Sequence, residues 1–152
     1  MKHDYPYIVS ACLAGERCRY DGGSNLCPAV AELVRQGRAI PACPEMLGGL
    51  PCPRTPCEKS GGRILSKDGQ DCTQAFHDGA LAAMRLARAH GCRAAIVKSR
   101  SPSCGSGLIY DGTFSRRLVP GDGVWVSMLR AAGFALYTEE SLPNDAETAD
   151  IR

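Results

Sequence analysis

The stretch Thr73-Gln-Ala-Phe-His-Asp-Gly-Ala-Leu-Ala-Ala-Met-Arg-Leu-Ala-Arg-Ala-His90, closed by Gly91 and followed by Ala94-Ala-Ile-Val97, decides the fold. Phe76, Ala80, Met84 and Ala87 recur at helical spacing, which predicts an amphipathic helix with Thr73 as its N-cap. Gly91 supplies the left-handed stop. Ala94–Val97 is short, apolar and β-favouring, so a helix-to-strand step falls here.

The same alternation extends in both directions. Upstream, Tyr7-Ile-Val-Ser-Ala11 reads as a buried strand, and Pro28 opens a helix whose Val30, Leu33 and Val34 share a face before Gly37 ends it. Ala39-Ile-Pro-Ala42 is a second strand, with Pro41 suited to an edge. Residues 48–62, dense in Gly and Pro, read as an ordered irregular loop. Downstream, Gly123–Ala132 carries Val124, Met128, Leu129 and Ala132 on a helical face, Gly133 stops it, and Phe134-Ala-Leu-Tyr137 is the last strand. Strands alternating with helices predict an α/β fold: one compact domain over 1–143, with a mostly parallel, Rossmann-like sheet covered by helices on both faces. Residues 144–152 read as a polar, frayed tail.

A chain of 152 residues is long enough to bury a core without disulfides. Its only apolar stretch near the N-terminus is Tyr7–Val9, and no later run could span a bilayer. A soluble, cytoplasmic protein is expected, with no membrane partner. The 18 basic and 16 acidic residues are interspersed and leave a net charge of +2, so a nucleic-acid partner is not expected either.

Nine cysteines in a reducing compartment ask for a role other than a disulfide framework. Cys18, Cys27, Cys72 and Cys92 read as small apolar filler. Cys12, Cys43 and Cys104 differ: each follows a strand, and the crevice outside the carboxyl ends of parallel strands is where α/β sheets bind ligands. Small residues flank Cys12 and Cys104, in Cys12-Leu-Ala-Gly15 and Ser101-Pro-Ser-Cys-Gly-Ser-Gly107, as close approach to a bulky group requires. Thiolates select zinc, copper(I) or iron–sulfur centres, and the paired Cys-x-x-Cys spacing of structural zinc is missing. Three lone thiolates suit a cubane cluster with one iron left free as a Lewis acid. A cysteine phosphatase loop starting at Cys12 would need Arg where Cys18 stands, and a cysteine hydrolase would need a histidine base, for which His3, His77 and His90 are poor candidates.

Five ordered motifs then stand out: Ser10-Ala-Cys-Leu-Ala-Gly15, Arg19-Tyr-Asp-Gly-Gly23, Cys43-Pro-Glu-Met-Leu-Gly-Gly-Leu-Pro51, Lys98-Ser-Arg-Ser-Pro-Ser-Cys-Gly105 and Tyr110-Asp-Gly-Thr-Phe114. In them the chain resembles the thiouracil desulfidase (TudS) family, from about residue 7 to 140. The resemblance implies an iron–sulfur desulfidase domain carrying a [4Fe-4S] cluster on Cys12, Cys43 and Cys104. It also implies a small thiolated pyrimidine as substrate, non-redox release of sulfide, and Glu45 and Ser101 as catalytic polar residues. Glu45, two residues after Cys43, would share its side in a strand-like geometry and activate water. Taken alone, Glu45 reads better as a helix N-terminal charge or surface carboxylate, and Ser101 and Ser103 read equally as turn residues. Arg19 and Asp21 form a candidate pair behind the ligands. Cys52 and Cys57 depart from the family pattern, and Cys52 competes with Cys43 as a ligand. A different reading also stands: an iron–sulfur or zinc-thiolate module that binds or carries sulfur without turnover.

Overall fold

The computed structural model describes residues 5–144. In chain order the first half runs β1 (Tyr7–Ser10), a 3-10 turn (Ala11–Ala14), α1 (Pro28–Arg35), β2 (Ala39–Ala42), α2 (Pro44–Leu47), β3 (Cys57–Ser60) and β4 (Arg63–Ser66). The second half runs α3 (Thr73–Ala89), β5 (Ala94–Val97), β6 (Leu108–Tyr110), β7 (Leu118–Pro120), α4 (Val124–Ala131) and β8 (Ala135–Thr138). The expected tail falls outside the described residues apart from Asn144.

The central sheet is parallel throughout, in the order β2-β1-β5-β8, with Ile8 level with Ile40 and Ala95. Alternation along the strands divides the core into two layers. Ile8, Ala95 and Val97 pack with Ala80, Met84 and Ala87 of α3 and with Trp125 and Leu129 of α4. Tyr7, Val9 and Ile96 face the other way, onto Leu13, Val30 and Leu33. Fully burying an aliphatic or aromatic side chain stabilises by about 1.5–3 kcal/mol, so these two layers hold the sheet ends in place. Pro41 sits on the edge strand, where its missing N–H costs least.

Three local expectations are corrected. Residues 48–62 are not wholly irregular: β3 and β4 form an antiparallel hairpin turning at Gly61 and Gly62. Thr73 is not the cap of α3. Cys72 holds that position without a side-chain bond, while Asp71 accepts both the N–H and the hydroxyl of Thr73. In α4 the fully buried face is Trp125, Val126 and Leu129; Val124 and Met128 flank it and Ala132 is exposed beyond the last turn. A second hairpin, β6–β7, was likewise not marked by hydropathy.

Two glycines set the depth of one packing contact. A Cβ on Gly79 of α3 would lie 1.7 Å from the Pro44 carbonyl oxygen, and one on Gly48 would lie 2.0 Å from that of Ala75. Backbone therefore meets backbone where α2 crosses α3.

Candidate active site

At the carboxyl ends of β1, β2 and β5 the chain leaves the sheet into short turns. Cys12 lies on the 3-10 turn after β1, Cys43 directly follows β2, and Cys104 lies on the turn after β5. A cavity of about 510 Å³ opens there, and Cys12, Cys43, Cys104, Glu45 and Ser101 all line it. Cys12 and Cys104 are buried, and Cys43 is partly covered. Cys52 stands apart, its thiol donating to the carbonyls of Arg17 (3.1 Å) and Arg19 (3.2 Å).

Two further thiols accompany these three, Cys18 and Cys57. Cys18 packs in one buried cluster with Cys12, against which Cys43 also lies, and the Cys43 thiol donates to the Cys18 carbonyl at 3.9 Å. The neighbouring Cys18 side chain is the largest influence drawing the Cys12 thiol down to about 7, against the opposing effect of burial and helped by Asn25 and Lys98. Cys18 likewise draws Cys43 down, whereas Cys18 itself is pushed up by its two sulfur neighbours. Burial pushes Cys104 up to about 12, partly offset by Ser10 and Ser103. Sequence spacing carried no signal for Cys18, because the loop bearing it has no regular periodicity.

Polar side chains hold the thiols from behind. The Asn25 amide donates to Cys12 Sγ at 3.5 Å, and Arg19 donates to Asn25 Oδ1 at 3.1 Å while pairing with Asp21 at 3.1 Å. The Ser103 hydroxyl reaches Cys104 Sγ at 3.5 Å. Lys98 at the end of β5 pairs with Glu139 at 2.9 Å, and Glu139 also accepts the Ser99 N–H and hydroxyl, both at 2.9 Å.

Glu45 sits in the first turn of α2. Cys43 is extended and Pro44 turns the chain into the helix, so the strand-like geometry expected for Cys43 and Glu45 is replaced by a helical turn; both still face the cavity. Arg54, its side chain 7% exposed, donates Nε and Nη2 to Glu45 Oε1 at 3.0 and 2.9 Å. It also donates to the Cys18 and Pro51 carbonyls. On the other side, the Ser103 hydroxyl donates to Glu45 Oε2 at 3.0 Å. Ser101 stands one step behind. Its oxygen accepts the N–H groups of Ser103 (3.1 Å) and Cys104 (2.7 Å) and touches the Ser103 hydroxyl at 3.1 Å. Arg54 was missed in the sequence because burial of an arginine leaves no mark on hydropathy.

The cavity wall is cationic and locally strained. Arg19, Arg54, Lys67, Lys98, Arg100 and Arg116 line it, against Glu45 and Glu58. Among the described residues, Arg100, Phe114 and Arg116 are the non-glycine positions with positive φ (70°, 59° and 64°), and all three line this cavity. Such conformations cost on the order of 1–3 kcal/mol each and persist only where surroundings enforce them. Glu58 is one such enforcer: its Oε1 accepts the N–H groups of Gly112 (2.9 Å) and Phe114 (3.2 Å).

Comparison with known proteins adds to this geometry. Residues 7–141 match the family model described as 2-thiouracil desulfurase. The chain is 39% identical over 145 residues to the uncharacterized protein YbbK of Bacillus subtilis (strain 168), covering 89% of this chain and 96% of that protein. It also superposes on a solved structure, the [4Fe-4S]-dependent thiouracil desulfidase TudS. The TM-score is 0.87 at 40% identity, covering 98% of this chain and 100% of the other.

Proposed function

The chain belongs to the 2-thiouracil desulfurase family, and from that premise we propose that it is a [4Fe-4S]-dependent enzyme that converts thiouracil-type compounds to their oxo forms with release of sulfide. The observation carrying this reading is the convergence of Cys12, Cys43 and Cys104 with Glu45 at one cavity.

The donor set fits the cofactor. Soft thiols reach the cavity from three separate sheet-end loops, no histidine among the described residues lines it, and its cationic wall offsets the negative charge of a thiolate-bound cluster. A mononuclear zinc site is less well served: among the described residues no three His, Cys, Asp or Glu side chains converge on one ion. A cubane spreads its ligands farther apart than a single ion does. Cys12, Cys43 and Cys104 would hold the cluster. Bound in this way, it would supply an iron without a protein ligand, a Lewis acid that polarises a thiocarbonyl.

The chain's own residues supply the rest. Glu45, fixed by Arg54 and Ser103, accepts a proton from water as the water oxygen bonds to the thiocarbonyl carbon. The carbon–sulfur bond then breaks and sulfur leaves as sulfide, so carbon exchanges sulfur for oxygen with no net electron transfer. Ser101 orients Ser103 and the Cys104 backbone. Among the described residues no helix is long and apolar enough to cross a membrane, and the small-molecule substrate suits action in the cytoplasm.

The test is anaerobic reconstitution with iron and sulfide, followed by assay on 2- and 4-thiouracil for loss of thiocarbonyl absorbance and release of sulfide. A brown, cluster-loaded protein inert toward both compounds would overturn the enzymatic reading.

A further inference from the structure

The motif Tyr110-Asp-Gly-Thr-Phe114 has no part in the chemistry proposed above, yet Tyr110 and Phe114 both line the cavity. The chain here leaves β6 and closes into a loop before β7. The Asp111 N–H donates to the Arg117 carbonyl at 2.9 Å, and the Asp111 carboxylate accepts the Thr113 N–H (2.9 Å) and hydroxyl (2.6 Å). This loop is seated on β3. Gly112, at φ 95°, lies so close that a Cβ there would fall 2.7 Å from the Lys59 carbonyl oxygen, and Glu58 Oε1 accepts the N–H groups of Gly112 and Phe114. A pairing of Arg100 with Ile109 ties the same hairpin to the start of the turn that carries Ser101 and Cys104.

These contacts hold Phe114 where its own preferences oppose it. A bulky residue at φ 59° is an outlier in a conformation that glycine adopts freely. The ring does not join the core in compensation. Phe76 is fully buried and Phe134 packs against the layer beneath α3 and α4, whereas Phe114 belongs to neither apolar layer and stays partly exposed. Two other aromatic residues line the cavity, but Tyr110 occupies ordinary strand backbone, and the Arg19 guanidinium already sits over the Tyr20 ring, 5.9 Å from its centroid. Strain enforced at a cavity wall, without core contacts, marks a residue kept for what it touches.

Resting on the desulfidase reading above, we propose that Phe114 is the face against which the thiolated pyrimidine stacks, its place fixed by the loop that Glu58 grips. A phenyl ring offers such a heterocycle apolar area in a preferred stacked geometry and brings no hydrogen-bonding group of its own. It sets the plane of the substrate and leaves proton transfer to Glu45. Stacking of this kind acts in the ground state as well as in the transition state, so its loss falls on KM and Kd more than on kcat.

The test uses the full chain, reconstituted anaerobically as wild type, Phe114→Tyr, Phe114→Leu and Phe114→Gly. KM and kcat are measured on 2- and 4-thiouracil, Kd for uracil (the product) by calorimetry, and stability by urea unfolding. Phe114→Tyr keeps a ring and is expected to match wild type. Phe114→Leu keeps apolar bulk without a π-face, and its KM and Kd should rise about tenfold with kcat little changed. Phe114→Gly should bind as weakly as Phe114→Leu yet unfold at a midpoint no lower than wild type, because glycine relieves the backbone. A Phe114→Gly chain that unfolds earlier but binds uracil as wild type does would make the ring packing and overturn the inference. Turnover of thiouracil by the wild type, with KM and Kd unchanged in Phe114→Leu, would overturn it too and keep the proposed activity. A cluster-loaded wild type that binds uracil through Phe114 yet leaves thiouracil intact would do the reverse. A wild type that neither binds uracil nor turns over thiouracil would sink both.

Discussion

Both oxygens of Glu45 are taken by protein donors, Oε1 by Arg54 and Oε2 by Ser103. A carboxylate has room for about four hydrogen bonds, so the carboxylate is fixed in direction while lone pairs remain for a water. Arg54 is itself nearly buried, so the pair is worth more intact than either half alone: removing one partner of a buried pair typically costs about 3–5 kcal/mol. If Arg54 acts through Glu45, the two changes cannot add. Glu45→Gln is expected to keep its cluster and lower kcat by about 10²–10⁴-fold, the range for losing a general base. Arg54→Gln should lower kcat in the same direction, and Arg54→Gln placed on Glu45→Gln should lower it no further. Additive losses across that double-mutant cycle, measured as kcat on thiouracil with iron content held equal, would separate the two residues. Ser101 acts at one remove, since its oxygen is occupied by two backbone N–H groups of the turn that carries Cys104.

At the scale of elements, the contact between α2 and α3 decides where Glu45 and Cys43 stand. A glycine in a helix interior is normally a weakness, and replacing it with alanine gains on the order of 1 kcal/mol. Gly79→Ala in α3 should do the opposite, because the new Cβ would fall 1.7 Å from the Pro44 carbonyl oxygen, backbone that cannot swing aside. Overpacking of this kind costs about 1–3 kcal/mol or more. Urea unfolding is expected to show a lower midpoint, and the shift of α2 should lower activity as well; a stabilised variant would mean that the two helices are not in contact at this depth. How far these elements were legible follows from the same physics. β1, α1, β2, α3, β5, α4 and β8 lie in repetitive apolar patterns that face one sheet, so periodicity marked them, and with them the three loops bearing Cys12, Cys43 and Cys104. The β3–β4 hairpin lies at the cavity side, where Cys57-Glu-Lys-Ser60 and Arg63-Ile-Leu-Ser66 carry few apolar residues. Its signal was the Gly61-Gly62 pair between two equal strands, a turn preference rather than a hydropathy one. Arg54 was illegible for a different reason: its role comes from tertiary contacts between segments far apart in sequence. The same holds for Trp125, whose burial depends on where α4 rolls against α3.

Across the whole molecule, the cavity is held open by a sheet whose ends must stay level, and one ion pair ties two of them. Lys98 follows β5, Glu139 follows the edge strand β8, and their side chains meet at 2.9 Å. Burial alone would raise the Glu139 carboxyl, but the Lys98 ammonium, the Ser99 N–H and the Ser99 hydroxyl outweigh it and hold the group below the usual 4.5. A carboxyl depressed in the folded state contributes stability that is complete above its unfolded value and is lost as pH falls through its folded value. The contribution is therefore present at neutral pH and fades below about pH 4.5. Hydrogen bonds to a charged group are worth roughly 1.5–3 kcal/mol, and the partial exposure of both side chains places this one toward the lower figure. Comparing urea midpoints of wild type and Glu139→Gln from pH 8 to pH 3, we expect a constant deficit for the variant down to about pH 5 that closes as the wild-type carboxyl takes up its proton. A deficit that persists unchanged at pH 3 would place the stabilisation in packing at the β5–β8 edge instead of in the charge that joins those strand ends beside the cavity.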